Sequence, residues 1–289
     1  MEHKALFHAP AKINLLLRVT GKRSDGYHEL VSLFHPVRKV CDEIKADLSA
    51  AAGISLCCNT PGVPADSSNL LWKAAAAFAE KMQINPCWHF ELIKHIPAAA
   101  GMGGGSSDAG RMLRFLSEHF PGCSEDDLKK MAEKLGADVP FFLDPQDAAV
   151  RGTGEKITPV GDLPVPPMLA VFPNFPVSAA WAYRHLQHFT PPQQAEKELQ
   201  SLIEALQKEN FDEAGSLCAN DLEQALFEKF PLLTSLRREL MACGAACVHV
   251  SGSGSSLFAI FPDKKLLAKA SEFLGTKENL ETGIKIMEC

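Results

Sequence analysis

The segment with the strongest local signal in this chain is Pro97-Ala98-Ala99-Ala100-Gly101-Met102-Gly103-Gly104-Gly105-Ser106-Ser107-Asp108. Four of the five residues from 101 to 105 are glycine, and so many glycines are costly in backbone entropy. A helical pattern follows in residues 107–119. Because free N–H groups and the positive end of the helix dipole meet at a helix N-terminus, we expect this loop to bind an anion. The two serine hydroxyls would add donors, or a magnesium ligand.

Two better-known glycine-rich motifs do not fit this loop. The Walker motif places a lysine and then Ser or Thr after its last glycine, whereas Ser106 follows Gly105 here. The dinucleotide fingerprint G-x-G-x-x-G requires a glycine at position 106 and a place on the first strand of a parallel sheet. A flexible turn between a strand and a helix is the structural alternative.

Two further segments stand out on either side of this loop. Residues 9–14 (APAKIN) begin an apolar strand, and the two-residue period of a strand places Lys12 and Asn14 on one face. A solvated sheet edge is the other explanation for these two polar residues. Residues 250–256 (VSGSGSS) join two apolar strands. They form either a flexible hairpin or a second small-residue loop that lies against a ligand or the first loop.

The apolar pattern indicates an α+β protein with two domains, residues 1–160 and 161–289, joined by the proline-rich segment 159–167. In the first half the predicted strands are 11–20, 28–37, 40–48 and 88–96, and the predicted helices are 69–82, 107–119 and 124–135. In the second half the predicted strands are 168–172, 247–251, 257–261 and 284–287, and the principal predicted helices are 193–209 and 264–274.

Composition argues against several classes of function. The net charge of -6 does not favour nucleic acid or an anionic membrane as partner. The nine cysteines include no Cys-x-x-Cys pair, and no Cys/His cluster has zinc spacing, so a structural metal is not expected. The first residues lack the apolar region of a signal peptide, and no run of about 18 apolar residues occurs. We expect a cytoplasmic protein.

In this order and spacing, the three segments resemble the signature motifs of the GHMP kinases, a family named for galactokinase, homoserine kinase, mevalonate kinase and phosphomevalonate kinase. The resemblance runs from residue 9 to about residue 261. The stretches that carry it are APAKINLLLRVTGKRSDGYHEL, GMGGGSSDAG, LGADVPFFL, RGTGEKITP and SGSGSSLFA.

The resemblance implies a two-domain GHMP kinase fold, with an N-terminal domain like ribosomal protein S5 domain 2 and a ferredoxin-like C-terminal domain. The Gly-Tyr-His element is typical of one branch of the family. That branch uses ATP and Mg²⁺ to phosphorylate the 2-hydroxyl of the cytidine diphosphate ester of methylerythritol, on the methylerythritol phosphate route to isoprenoid precursors. The partner would thus be a small molecule, and the protein a monomer or a homodimer.

The resemblance also implies roles for single residues. Lys12 and Asp138 would be the catalytic pair, with the carboxylate accepting the hydroxyl proton and the lysine stabilising charge. Residues 97–107 would hold the ATP phosphates. The substrate side would be lined by Asn14, Tyr27, His28 and Tyr183, with Trp181 as the alternative second aromatic wall. The metal ligands stay unassigned. Departures from the family pattern are Met102 for leucine, Gly110 for alanine and Ser251 for threonine.

Overall fold

The computed structural model describes residues 4–275 and 284–289, and it confirms the predicted α+β class. The strands are β1 Lys4–Lys22, β2 His28–Asp47, β3 Gly53–Cys58, β4 Cys87–Ile93, β5 Ala148–Gly152, β6 Lys156–Pro159, β7 Met168–Phe172, β8 Ala219–Asn220, β9 Cys247–Val250, β10 Leu257–Ile260 and β11 Lys285–Glu288. The helices are α1 Leu70–Met82, α2 Gly104–His119, α3 Glu125–Leu135, α4 Ala179–Arg184, α5 Pro192–Gln207, α6 Phe211–Leu217, α7 Glu223–Lys229, α8 Pro231–Ala242 and α9 Lys264–Gly275, with a 3-10 helix at Val139–Leu143. Within these residues, no helix has both the length and the apolar character needed to cross a bilayer.

Packing divides the chain into two compact units, neither of which is one continuous segment. The first comprises Met1–Ala11, Val40–Ala98 and Gly103–Pro145, and the second comprises Lys12–Lys39, Ala99–Met102 and Gln146–Cys289. The chain therefore changes unit within β1, within β2, on both sides of Ala99–Met102 and between Pro145 and Gln146. The division into residues 1–160 and 161–289 is a single cut along the sequence, and it stays a prediction.

In the first unit, α1, α2 and α3 share one apolar core with the sheet. β3 pairs in parallel with β4, and β4 pairs antiparallel with the end of β2. The two-residue period of β4 buries Trp88, Phe90 and Leu92, as the predicted strand 88–96 requires. Phe78 of α1 and Leu113 of α2 are fully buried in the same core. The core thereby fixes the direction in which α2 points.

The second unit contains the later part of β1 and the first part of β2. β1 pairs in parallel with β8, β2 pairs antiparallel with β5, and β5 pairs antiparallel with β6. Another sheet, antiparallel throughout, has the order β11-β7-β10-β9. All five residues of β7 are buried, which explains its unbroken apolar sequence MLAVF. The predicted strands of the second half are confirmed to within one residue.

One expectation about the early strands is wrong, and one strand was missed. The predicted strands 28–37 and 40–48 form one strand, β2, because the side chains of Arg38 and Lys39 turn to solvent while the backbone stays extended. β3 was not predicted, since its sequence GISLCC is short and has one buried side chain, Leu56.

Helix α2 begins at Gly104, three residues before its predicted start of 107, inside the glycine run. Gly103 is its N-cap residue, with a φ of 71° that favours glycine. A Cβ at Gly104 would lie 3.0 Å from Cγ2 of Ile96 and 3.2 Å from Nζ of Lys94. Gly104 therefore allows close packing, and the alternative of a flexible turn does not hold for the second half of the loop.

Candidate active site

The first turn of α2, in the first unit, presents unused backbone donors. Ser107 is the first residue whose N–H bonds back within the helix, to the Gly103 carbonyl oxygen at 2.8 Å. The N–H groups of residues 104–106 precede that bond and have no intrahelical acceptor. Among the described residues, no side chain caps this end and no acidic residue lies in its first turn. The positive end of the helix dipole is thus suited to an anion.

The two serines of the loop differ in what they can offer a ligand. Ser107 is fully buried, and its hydroxyl donates to the Pro10 carbonyl oxygen at 2.6 Å. Since its N–H also bonds within the helix, both donors of Ser107 are already bonded to protein acceptors. Ser106 is half-buried. Its hydroxyl is therefore the better placed of the two to reach a phosphate or a metal ion.

A buried cluster of charges, which sequence reasoning missed, supports the start of α2. Lys94 donates to Asp42 and, at 2.8 Å, to Asp108 of α2. The second oxygen of Asp42 accepts the N–H groups of His95 at 2.6 Å and of Ile96 at 2.8 Å. The exposed fractions of the Lys94, Asp42 and Asp108 side chains are 6%, 0% and 3%. The cluster joins β2, the segment after β4 and α2.

Two carboxylates share one ammonium group in this cluster, and the pKa values follow from that imbalance. Burial lowers the pKa of Lys94, but the attraction of Asp108 and Asp42 outweighs burial, so the pKa is raised overall. Burial raises the pKa of Asp108 to about 7, with a further contribution from Asp42, against the opposing effect of Lys94. Oδ1 of Asp108 is buried without a hydrogen-bond partner among the described residues.

Asp138 lies at the start of the 3-10 helix Val139–Leu143, also in the first unit, and is half-buried. This short helix packs against α2 at Gly110 with almost no space between them. A Cβ at Gly110 would lie 2.7 Å from Cβ of Phe142 and 2.8 Å from the carbonyl oxygen of Val139. Gly110 therefore sets the distance between α2 and the short helix that follows Asp138.

In the second unit, Lys12 and Asn14 lie on one face of β1, as the two-residue period predicts. Nζ of Lys12 donates to Oδ1 of Asn14 at 2.7 Å, and Nδ2 of Asn14 donates to the Ser32 hydroxyl at 3.0 Å. Nζ of Lys12 also lies 4.3 Å from the centroid of the Phe34 ring. The residues are 4% and 3% exposed, so the alternative of a solvated sheet edge is wrong.

The loop 251–256 packs on Ala99–Met102, as the second of its two interpretations predicts. The Ser251 hydroxyl donates to the Gly101 carbonyl oxygen at 3.1 Å, and the Ser256 N–H donates to the Ala100 carbonyl oxygen at 3.1 Å. A Cβ at Gly101, whose φ is 79°, would collide with the Ser251 carbonyl oxygen. The approach of the two backbones therefore requires glycine at position 101.

The strand that carries Lys12 joins the same arrangement. The Lys12 N–H donates to the Met102 carbonyl oxygen at 3.0 Å. A Cβ at Gly252 would lie 3.3 Å from Oδ1 of Asn14. Parts of all three conspicuous sequence segments thus meet within the second unit. Asn220 of β8, which sequence reasoning missed, holds the last of them by donating to the carbonyl oxygens of Val250 at 2.8 Å and Gly252 at 2.7 Å.

A cluster of aromatic rings in the second unit includes two of the predicted substrate residues. The rings of His28 and Tyr183 stack with centroids 5.1 Å apart, and Phe189 tilts against His28 at 6.2 Å. Burial, aided by the charge of Lys22, lowers the pKa of His28, which favours the neutral ring at pH 7. Tyr27 is 66% exposed. Phe189 was not predicted, because an exposed loop phenylalanine has no distinctive sequence pattern.

Trp181 has neighbours of its own. Nζ of Lys229 lies 3.9 Å from its ring centroid, and the His185 ring stacks on it at 4.3 Å. Tyr183 stacks on His28 instead. Tyr183 and Trp181 thus belong to separate sets of ring contacts, and the choice between them as the second aromatic wall stays a prediction.

The predicted site residues fall into both units. Lys12, Asn14, His28 and Tyr183 lie in the second unit with Ala99–Met102, whereas Asp138 lies in the first unit with residues 97–98 and 103–107. The pairing of Lys12 with Asp138 stays a prediction. In the part of the chain that the structure describes, no group of three or more His, Cys, Asp or Glu side chains is arranged to hold a metal ion.

Comparison with known proteins identifies the family. Residues 69–144 match the GHMP kinases N terminal domain, and residues 202–279 match the GHMP kinases C terminal domain. The 4-diphosphocytidyl-2-C-methyl-D-erythritol kinase of Geobacter sulfurreducens is 35% identical over 94% of this chain and 95% of its own. The enzyme of that name from Acetivibrio thermocellus is 35% identical over 93% of this chain and 94% of its own.

Solved structures agree with the sequence relatives. The crystal structure of a 4-(cytidine 5'-diphospho)-2C-methyl-D-erythritol kinase matches with a TM-score of 0.81, at 33% identity over 98% of each chain. A homoserine kinase from Cytophaga hutchinsonii matches with a TM-score of 0.75 at 18% identity, over 100% of this chain and 95% of its own, and shares the fold. The predicted two-domain GHMP kinase fold is thus confirmed, and the chain belongs to the 4-diphosphocytidyl-2-C-methyl-D-erythritol kinase family of the GHMP kinases.

Proposed function

We propose that this chain transfers the γ-phosphate of ATP to the 2-hydroxyl of 4-diphosphocytidyl-2-C-methyl-D-erythritol, giving the 2-phosphate and ADP. The reaction belongs to the methylerythritol phosphate pathway of isoprenoid precursor biosynthesis. The observation that carries the proposal is the packing of Ala99–Met102 between the Lys12 strand and the loop 251–256, in a chain with full-length relatives of that name.

The glycine-rich loop binds the ATP phosphates. The N–H groups of residues 104–106 and the dipole of α2 attract the anion, and the Ser106 hydroxyl adds a donor. Residues 97–102 line the approach with backbone groups, and Ser107 holds the helix start through its bond to Pro10. Phosphoryl transfer has a loose transition state, so this positioning supplies much of the rate.

Lys12 and Asp138 perform the chemical step. The carboxylate of Asp138 accepts the proton of the 2-hydroxyl as the oxygen attacks the γ-phosphorus. The ammonium group of Lys12 stabilises the negative charge that is spread over the oxygens of the transferred phosphoryl group. The bond from Lys12 to Asn14, which is itself held by Ser32, keeps the ammonium group in one orientation. Low exposure of Lys12 strengthens its charge interactions.

Magnesium fits this site as a phosphate-bound ion. Mg²⁺ keeps several waters and is usually held by one or two protein oxygens together with substrate phosphates, so the half-buried Ser106 hydroxyl at the start of α2 is of a type that suits it. The Ser106 hydroxyl is the protein ligand proposed to hold it. When bound, the ion neutralises charge on the phosphates.

The aromatic cluster binds the cytosine. Tyr27 and Tyr183 provide faces on which the base stacks, and Asn14 contributes a polar contact on the substrate side. The neutral ring of His28 has one donor and one acceptor nitrogen, which suits the hydrogen-bonding edge of cytosine. Small-molecule recognition of this kind needs no partner protein. The proposed compartment is the cytoplasm, and the proposed assembly is a monomer or a homodimer.

The proposal is tested by ADP release from the purified protein with ATP and Mg²⁺. Four acceptors are compared: 4-diphosphocytidyl-2-C-methyl-D-erythritol, homoserine, mevalonate and galactose. Turnover with the cytidine compound alone is expected. Turnover with another acceptor would support kinase activity but contradict the assignment of the aromatic cluster to cytosine. No turnover in protein that binds ATP would favour a nucleotide-binding protein without catalysis.

A further inference from the structure

The ring of Phe189, in the segment between α4 and α5, is held in place although it is half exposed. Its exposed fraction is 49%, and its centroid lies 6.2 Å from that of the His28 ring, with 38° between the two ring planes. The next residue, Thr190, is buried, and its N–H donates to the Val19 carbonyl oxygen at 2.9 Å. A lone exposed phenylalanine needs no explanation, but this one has both a ring partner and a backbone attachment to β1.

A buried carboxylate strengthens the attachment. Oδ2 of Asp221 accepts the Thr190 hydroxyl at 2.8 Å and the Val19 N–H at 2.8 Å. Oδ1 of Asp221 accepts an N–H of the Arg18 guanidinium at 2.6 Å, and the Asp221 side chain is 1% exposed. Since both carboxylate oxygens are bonded in a buried place, this anchor has little freedom to move. It fixes the residue directly after Phe189.

The ring of His28 depends on other rings for its orientation. In the part of the chain that the structure describes, no protein group is hydrogen-bonded to either ring nitrogen of His28. Tyr183 stacks on the ring at 5.1 Å with 24° between the planes. The Phe189 ring meets it at a different tilt, so the two contacts together leave fewer orientations than either alone.

We propose that Phe189 is a positioning residue of the base site, whose ring holds His28 in the orientation that bonds to the edge of cytosine. This inference deepens the proposed function and rests on it. A ring that is already fixed in the free protein loses little freedom when the base binds, which favours affinity. Asp221 acts one step further away, by holding Thr190 and thereby the backbone next to Phe189.

Steady-state kinetics of Phe189→Leu test this role, because leucine stays apolar but lacks the ring. We expect KM for 4-diphosphocytidyl-2-C-methyl-D-erythritol to rise about threefold to tenfold, the strength of one aromatic contact, while KM for ATP and kcat keep their values. Phe189→Tyr keeps the ring and is expected to keep the normal KM. Phe273→Leu is the matched control, since Phe273 on α9 is 44% exposed, and it should change neither KM. An unchanged KM for the cytidine substrate in Phe189→Leu, or an equal rise in both KM values, would overturn the role.

The attachment is tested by Thr190→Val, which removes the hydroxyl bond to Asp221 and leaves the Phe189 ring in the chain. A rise in KM for the cytidine substrate is expected, smaller than that of Phe189→Leu. An unchanged KM for that substrate would overturn the part assigned to Asp221.

NMR of the histidine rings tests the contact without turnover. The spectrum of His28→Gln identifies the His28 signals among those of the ten histidines. In Phe189→Leu, the Cε1 proton signal of His28 is expected to move, since the ring current of the phenyl group is lost. The pKa of His28, which burial and then the charge of Lys22 lower, is expected to rise because the ring is less covered.

Unchanged His28 signals and an unchanged pKa in Phe189→Leu would overturn the contact, whatever acceptor the protein phosphorylates. Turnover with another acceptor alone, with the His28 signals displaced as expected, would instead overturn the proposed function and with it the role in binding cytosine. The two failures are therefore distinguishable.

Discussion

Replacing Lys94 with methionine tests the buried charge cluster beneath α2. Methionine keeps the length and apolar stem of lysine, so the change removes mainly the charge. It leaves Asp42 and Asp108, with exposed fractions of 0% and 3%, without their shared cation. Breaking a buried ion pair by removing one partner costs about 3–5 kcal/mol, because an uncompensated charge stays in the interior. We expect a loss of that size in the free energy of unfolding.

The assay is urea unfolding at pH 7.5, read from the midpoint with an unchanged m value. Lys45→Met is the matched control, because Lys45 pairs with Glu91 at 3.1 Å while both side chains are about half exposed. An exposed pair of this kind contributes about 0–1 kcal/mol. The double variant Lys94→Met with Asp108→Asn is expected to recover part of the loss, since it removes one of the two stranded carboxylates. Equal costs for Lys94→Met and Lys45→Met would refute the reasoning.

Three further predictions concern single residues. The unfolded chain binds the Asp108 proton only below about pH 4, whereas the folded protein holds it to about 7, so this group makes stability fall as pH rises between these values. Asp108→Asn should remove this fall in the free energy of unfolding, measured by urea titrations between pH 4 and 7. An unaltered slope of the free energy of unfolding against pH would contradict the raised pKa of Asp108. Gly110→Ala should lower kcat by about tenfold or more, because the added Cβ displaces the short helix that follows Asp138. A normal kcat in a variant that folds would contradict this prediction. Tyr183→Ala should raise KM for the cytidine substrate by about tenfold to a hundredfold, since stacking of a base contributes about 1–3 kcal/mol, and it should leave KM for ATP unchanged. An unchanged KM for the cytidine substrate would exclude Tyr183 as a stacking surface for the base.

Local sequence patterns predicted the parts of the fold that depend only on residues close together in the sequence. The helices predicted to start at residues 69 and 124 are confirmed as α1 and α3, with Asn69 and Ser124 as their N-caps, because a cap needs only a side chain and the N–H groups two or three residues ahead. The shared face of Lys12 and Asn14 follows from the strand period alone. The family resemblance supplied the chemistry, which these patterns do not contain.

Features that depend on distant contacts were missed. Asp42, Lys94 and Asp108 are ordinary charges in sequence, and only the packing of β2, β4 and α2 brings them together. The start of α2 was placed too late because glycine has poor helix propensity, whereas the close approach of the Ile96 and Lys94 side chains favours glycine at position 104. Asn220 was overlooked for the same reason as Asp42, since its acceptors lie about 30 residues later in the chain.

The most direct test of the central claim is to locate the new phosphate on the product by phosphorus and carbon NMR. The protein is incubated with ATP, Mg²⁺ and 4-diphosphocytidyl-2-C-methyl-D-erythritol, with Asp138→Ala as the matched control. We predict one phosphorylated product with the phosphate on the 2-hydroxyl, formed far more slowly by the variant although it still binds ATP. A phosphate on another oxygen, or ADP release without a phosphorylated acceptor, would contradict the account.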